Sequence, residues 1–216
     1  MEPVMKFFDL ELSEVHVDAL REICNIGMGH AATALNQMIG RPIGLSIPQV
    51  RLAPLSDVPE IVGGAEQLVA GIYLKVWGDI QGSILLIFPR DSTRAICSLL
   101  TGGAPENELF LSEMHASALR EVGNILCSSY LSALERLLGK TLFPSVPSVA
   151  FDMAGAIVQY VLAQMDEETD KVLVVEAVFT GIEQGIQGHF FLLPDPKSLR
   201  LILQAAKVLA AEDRGR

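Results

Sequence analysis

Apolar residues recur every three or four positions in two stretches of the chain: Val15, Ala19, Ile23 and Ile26, then Met114, Ala118, Val122 and Ile125. That period predicts one amphipathic helix near the start of each half, with those residues turned to the core. Ser13 and Ser112 read as N-caps, each followed by an acid, Glu14 or Glu113, where the helix dipole favours negative charge. Leu12 is placed to staple onto Val17. Gly40 and Gly139, each followed by a basic residue, predict the C-terminal stops. Extended chain then passes through Pro48 or Pro147. The period next shortens in β-rich runs, Leu68–Trp77 with Ser83–Phe88 and Lys171–Thr180 with His189–Leu193. The links Gly78-Asp79 and Gly181–Gly185 predict hairpins. A shorter helix closes each half, over Asp91–Leu100 and from the cap Asp195-Pro196 onward. Met153–Gln164 fits a helix or a strand.

These parallel patterns come from a duplication. Leu12–Gly27 aligns with Leu111–Leu126 at an offset of 99 residues, with ten of sixteen positions identical. The same offset carries Gly40 onto Gly139 and Pro48 onto Pro147. Ile80-Gln81-Gly82 returns as Ile186-Gln187-Gly188, so the second half holds a net insertion, placed in the acidic loop Asp166–Asp170. The expected fold is α+β with pseudo-twofold symmetry. A copy of about 99 residues builds a thin core by itself. One domain over residues 1–216 is therefore expected, made of repeat one (12–102) and repeat two (111–208) around one joint sheet.

Composition narrows the function. Sixteen Lys and Arg stand against 26 Asp and Glu, a formal charge of −10, and no basic stripe gathers to hold a phosphate backbone. Nucleic acid is excluded as a partner; a surface carrying a metal ion or a lysine is better matched. The longest apolar run, around Ser83–Phe88, falls far short of the roughly 20 residues a membrane span requires. Acids bracket the apolar patch in Met1–Leu10, so a secretory signal is not expected. A cytoplasmic location follows as the expectation. Cys24, Cys97 and Cys127 are widely spaced and form no C-x-x-C motif, which reads as reduced, partly buried thiols.

Most residues shared by the copies read as core or caps. His16 and His115 lack a second ligand at metal spacing, and Arg21 and Arg120 read as solvated helix-face residues. One stripe is different. Asp18, Glu22 and Asn25 recur as Ser117, Glu121 and Asn124, at spacings that put all three on one helix face. Each Asn falls about three turns inside its helix, too deep to cap it. Mid-helix Asn is less favourable than Ala by about 0.6 kcal/mol, so its presence in both copies suggests a task. The chain offers no Gly-x-Ser-x-Gly, no phosphate-binding glycine loop and no metal cage. A carboxamide is neither acid nor base at neutral pH, but it can orient a water molecule through one donor and one acceptor contact. The competing structural reading makes both Asn residues a buried polar junction between the long helices.

The patterns Asp18-x3-Glu22-x2-Asn25-x22-Pro48 and Ser117-x3-Glu121-x2-Asn124-x22-Pro147 each resemble the full signature of the CheC-type phosphatases of chemotaxis, a family that includes CheX and FliY. The resemblance spans about Leu12 to Val208. It implies a pseudo-symmetric unit with a central antiparallel sheet flanked by two long active-site helices. It also implies hydrolysis of the phosphoaspartate of the response regulator CheY, by water attack without a covalent intermediate. Carried over, Asn25 and Asn124 position the water, and Glu22 and Glu121 pair with the regulator's lysine. Asp18 and Ser117 flank the site as partner contacts, while Pro48 and Pro147 shape the chain entering the sheet. No cofactor is bound by this chain; the Mg2+ of the reaction is brought by the regulator. CheD, a receptor deamidase, is a further partner the resemblance implies. Two signatures in one chain set it apart from the one-site CheX protomer, and its ending soon after repeat two sets it apart from FliY, which carries an added switch domain. The CheC branch is the best fit. The alternative is a non-catalytic module that docks CheD or a regulator without hydrolysis.

Overall fold

The computed structural model describes residues 5–7, 10–12, 14–40, 42, 44–103, 110–165, 171–180 and 186–213. A short hairpin, β1 (Met5–Phe7) and β2 (Leu10–Leu12), precedes α1 (Glu14–Ile39). The first half continues with β3 (Gly44–Pro54), a 3-10 turn at Leu55–Asp57, α2 (Val58–Ile61), β4 (Leu68–Gly78), β5 (Gly82–Pro89) and α3 (Arg90–Thr101). The second half repeats the order: α4 (Glu113–Leu138), β6 (Leu142–Pro144), β7 (Ser148–Met153), α5 (Ala154–Leu162), β8 (Lys171–Thr180), β9 (Ile186–Pro194) and α6 (Pro196–Asp213).

The predicted helix ends hold where they are described. Ser112 caps α4, its Oγ accepting the His115 N–H at 3.3 Å. Gly40 and Gly139 leave the helices in the left-handed region, at φ 70° and 58°. The Ser198 N–H donates to Asp195 Oδ1 at 2.6 Å, as the cap before α6 requires. The undecided stretch 153–164 forms α5, and its buried side chains Ala154, Ile157, Val158 and Val161 follow the helical period. Ser13, the Leu12 side chain, the loop 166–170 and the link 181–185 lie outside the described residues.

Both halves contribute to one seven-stranded antiparallel sheet, ordered β3-β8-β9-β5-β4-β6, with β7 also paired to β4. The centre is the β5–β9 pair, one strand from each half. Outward from it, each hairpin takes its edge partner from the other half: β3 pairs with β8, and β7 with β4. Two reciprocal hydrogen bonds repeat the symmetry. The Gln81 N–H donates to Ser198 Oγ at 2.8 Å, and the Gln187 N–H donates to Ser92 Oγ at 3.0 Å.

Both prolines mark irregularities in these exchanged edge strands. The β3–β8 register shifts between Ser46 and Gln49, the interval that holds Pro48, which has no N–H to give a ladder. Pro147 sits in the break between β6 and β7. There Ser145 bridges to β4, its N–H donating to Lys75 O at 2.8 Å and its Oγ accepting the Lys75 N–H at 3.0 Å.

Side chains alternate between the two faces of the sheet, and both faces are covered. Ala70, Ile72, Leu74, Ile84, Leu86, Phe88, Phe190 and Leu192 pack beneath α1, α3, α4 and α6. Val69, Tyr73, Leu85, Ile87, Phe191 and Leu193 pack against α2 and α5. Double coverage explains why these strands read as nearly unbroken apolar runs. The long helices touch closely: a Cβ on Gly27 would lie 2.8 Å from Tyr130 Cα. α4 also presses onto the sheet, where a Cβ on Gly123 would lie 2.6 Å from Ile72 Cγ2.

Candidate functional site

The inward face of α1 carries Leu20, Ile23, Cys24, Met28, Ala31 and Leu35. On α4 the same role falls to Leu119, Val122, Leu126, Cys127, Tyr130 and Leu134. Steps of 100° along each helix then fix what faces outward. Asp18, Glu22 and Asn25 are all exposed on α1, and Ser117, Glu121 and Asn124 are all exposed on α4. The structure therefore gathers the three predicted site residues of each copy on one solvent face of a 26-residue helix. It also overturns the reading in which both Asn residues form a buried junction. Small residues close that junction instead, with Gly27 against Tyr130.

Two residues assigned to the core by periodicity point outward. Ile26 is 47% exposed and Met114 is 59% exposed. The buried stripe of α1 passes through Cys24, Gly27 and Ala31 between the larger Leu20, Ile23, Met28 and Leu35, and Ile26 falls beside it. Met114 sits in the first turn of α4, where the apolar layer has not begun to cover the helix. The side chains of Val15, Ala19 and His16 lie outside the described residues.

The polar surroundings differ between the copies. On α1, Arg21 Nη1 lies 3.5 Å from Asp18 Oδ1, a solvated pair worth a few tenths of a kcal/mol at most. Ser117 takes the place of Asp18 on α4, so no such pair forms there. Conversely, Ser128 Oγ donates to Asn124 Oδ1 at 3.5 Å. Gly29 holds the corresponding place on α1, and the Asn25 carboxamide has no partner among the described residues. Nothing in the repeat pattern singled out Ser128; its signal was a serine four residues after one Asn against a glycine four residues after the other.

The remaining candidates are structural. His115 is buried, with Nδ1 2.9 Å from Ser112 Oγ and Nε2 3.2 Å from Gly103 O. The carbonyl requires the proton on Nε2, which leaves Nδ1 to accept from the hydroxyl. The ring thus ties the start of α4 to the end of the first repeat. All three cysteines are buried and free. Burial pushes the Cys24 thiol up to about 12 and the Cys97 thiol up to about 11, and raises Cys127 further still. None is a nucleophile near neutral pH. Among the described residues no group of three or more His, Cys, Asp or Glu side chains is placed to hold a metal ion. Nor, among them, is any helix long and apolar enough to cross a membrane. Pro147 is buried.

Comparison with known proteins adds independent findings. Residues 15–50 and 114–150 match the CheC-like family, once in each half. The CheY-P phosphatase CheC of Bacillus subtilis is 36% identical over 198 residues, covering 90% of this chain and 95% of that protein. The crystal structure of Thermotoga maritima FliY superposes with a TM-score of 0.75 at 24% identity, over 91% of this chain and 98% of that one. The CheX-CheY-BeF3-Mg2+ complex of Borrelia burgdorferi matches with a TM-score of 0.51 at 15% identity, over 81% of this chain and 98% of that one. The two structural likenesses show the fold.

Proposed function

The chain belongs to the CheC-like family, and from that premise we propose that it is a hydrolase acting on the phosphoaspartate of a CheY-like response regulator. The observation that carries this reading is the outward Glu/Asn pair displayed twice, by Glu22 with Asn25 and by Glu121 with Asn124. The B. subtilis relative, aligned over nearly its whole length, is a CheY-P phosphatase. A neighbour with the same fold is known in complex with CheY.

The chemistry asked of the site is modest. An acyl phosphate is already activated, so what remains is to hold a water molecule in line with the phosphorus and to exclude its alternatives. The Asn carboxamide does this with one Oδ1 lone pair and one Nδ2 hydrogen. Water attacks phosphorus, the bond to the aspartyl oxygen breaks, and inorganic phosphate and the free carboxylate leave. Glu22 or Glu121, one turn away on the same face, docks on the regulator's lysine. Each Asn rides on a long helix packed against the sheet, so its position is set before the partner arrives.

Mg2+, when bound to the regulator, neutralises charge on the phosphoryl oxygens. Among the described residues neither polar face fits a metal site: Asp18 and Glu22, or Glu121 with Ser117, offer too few ligands. The negative charge on that face suits a cationic target instead.

Decay of phosphorylated regulator, with and without the protein, tests the proposal. The wild type accelerates decay, and Asn25→Ala with Asn124→Ala removes the acceleration while the fold persists. Complex formation without faster phosphate release would establish a docking module in its place.

A further inference from the structure

We propose that Ser128 is a positioning residue that orients the Asn124 carboxamide, making the α4 site the faster of the two, and that Gly29 is why the α1 site lacks this restraint. The inference rests on the water-positioning reading of the Asn residues. An exposed Asn has a soft, roughly two-fold χ2, so its oxygen and nitrogen exchange places at little cost. A water-positioning amide has to keep its plane in one setting. Ser128 lies one turn beyond Asn124, the spacing at which side chains on a helix meet. Its Oγ donates to Asn124 Oδ1 at 3.5 Å.

Serine and threonine inside a helix ordinarily turn back to the carbonyl four residues earlier. Thr33 does so, its Oγ1 donating to Gly29 O at 3.2 Å. Ser128 reaches the side chain instead. A hydroxyl can donate to Oδ1 or accept from Nδ2, so the contact restrains the plane of the amide; in the arrangement seen, Nδ2 and the second Oδ1 lone pair stay free for water.

The duplication supplies the control. The copies share Glu and Asn, yet the residue four beyond the Asn is Ser128 in one and Gly29 in the other. A Cβ added at Gly29 meets nothing within 4 Å, so packing does not demand glycine there. Transplanting the serine is therefore sterically open.

The test uses the full chain with one site silenced at a time. In Asn25→Ala, which leaves the α4 site, Ser128→Ala is expected to lower kcat for regulator dephosphorylation about threefold, the scale of one weak hydrogen bond. KM and Tm should stay unchanged, and Ser128→Thr should restore kcat. In Asn124→Ala, which leaves the α1 site, Gly29→Ser should raise kcat by about the same factor. An unchanged kcat in Ser128→Ala overturns the inference, as does a fall that Thr does not restore or that tracks a lowered Tm. No gain from Gly29→Ser also contradicts it. A wild type that leaves decay at its spontaneous rate fails differently: it removes the phosphatase reading and this inference with it.

Discussion

An asparagine that sits in mid-helix and faces water contributes less to the fold than alanine there, by about 0.6 kcal/mol. Asn25 and Asn124 both occupy that position, so each is retained against its local propensity. Asn25→Ala and Asn124→Ala are accordingly expected to raise stability by up to about 0.5 kcal/mol each, while each silences only its own site. Urea unfolding measures the effect; a loss of more than about 1 kcal/mol would indicate a packing role. The stripe was legible in the sequence because the amide conflicts with helix propensity twice at one spacing. Ser128 was not, since a single serine on a helix surface breaks no rule. The buried thiols make a second prediction at this scale. Cys24 is held at about 12 and Cys97 at about 11, against an ordinary value of 9.0. The unfolded chain therefore loses these protons first. Stability is fully present below about pH 9 and falls as pH climbs towards the folded values. Unfolding midpoints across that range check the sign, and Cys24→Ala should flatten the alkaline limb.

At the level of elements, the placement of both Asn residues depends on how closely α1 and α4 cross. Gly27 gives Tyr130 its place: the Tyr130 ring is fully buried, 4.9 Å from that of Phe190. Its contact with Gly27 is made by backbone, which yields little. Gly27→Ala should therefore destabilise the protein by about 2 kcal/mol, read by urea unfolding, although Ala is the better helix former. A gain in stability would mean the crossing is looser than described. Helix existence and helix ends were readable from apolar period, cap and stop residues. The outward turn of Ile26 was not, because next to it the buried stripe passes through the small residues Cys24 and Gly27, which leave Ile26 looking like the better core candidate. The stretch that became α5 stayed ambiguous because its exposed face is apolar too, with Tyr160 and Leu162 turned outward, which blurs the period.

Across the whole molecule, the exchange of edge strands makes the halves interdependent. Repeat one alone keeps the β4–β5 hairpin but strands β3 without β8, and leaves β4 without β7. A fragment ending at Gly103 should be unfolded or self-associated, as size-exclusion and amide NMR would show; a dispersed monomeric spectrum would contradict this. The duplication made a shared sheet expected. It did not reveal which strand crosses, because strands buried on both faces carry little register information. What the shared core achieves is to present two copies of one polar stripe on paired long helices. The most direct test of its purpose is the decay of phosphorylated regulator followed with wild type and with Asn25→Ala/Asn124→Ala, alongside their unfolding curves. Fast decay with the wild type and the spontaneous rate with a folded double variant are expected. Full acceleration by that variant would contradict the water-positioning role of the two Asn residues.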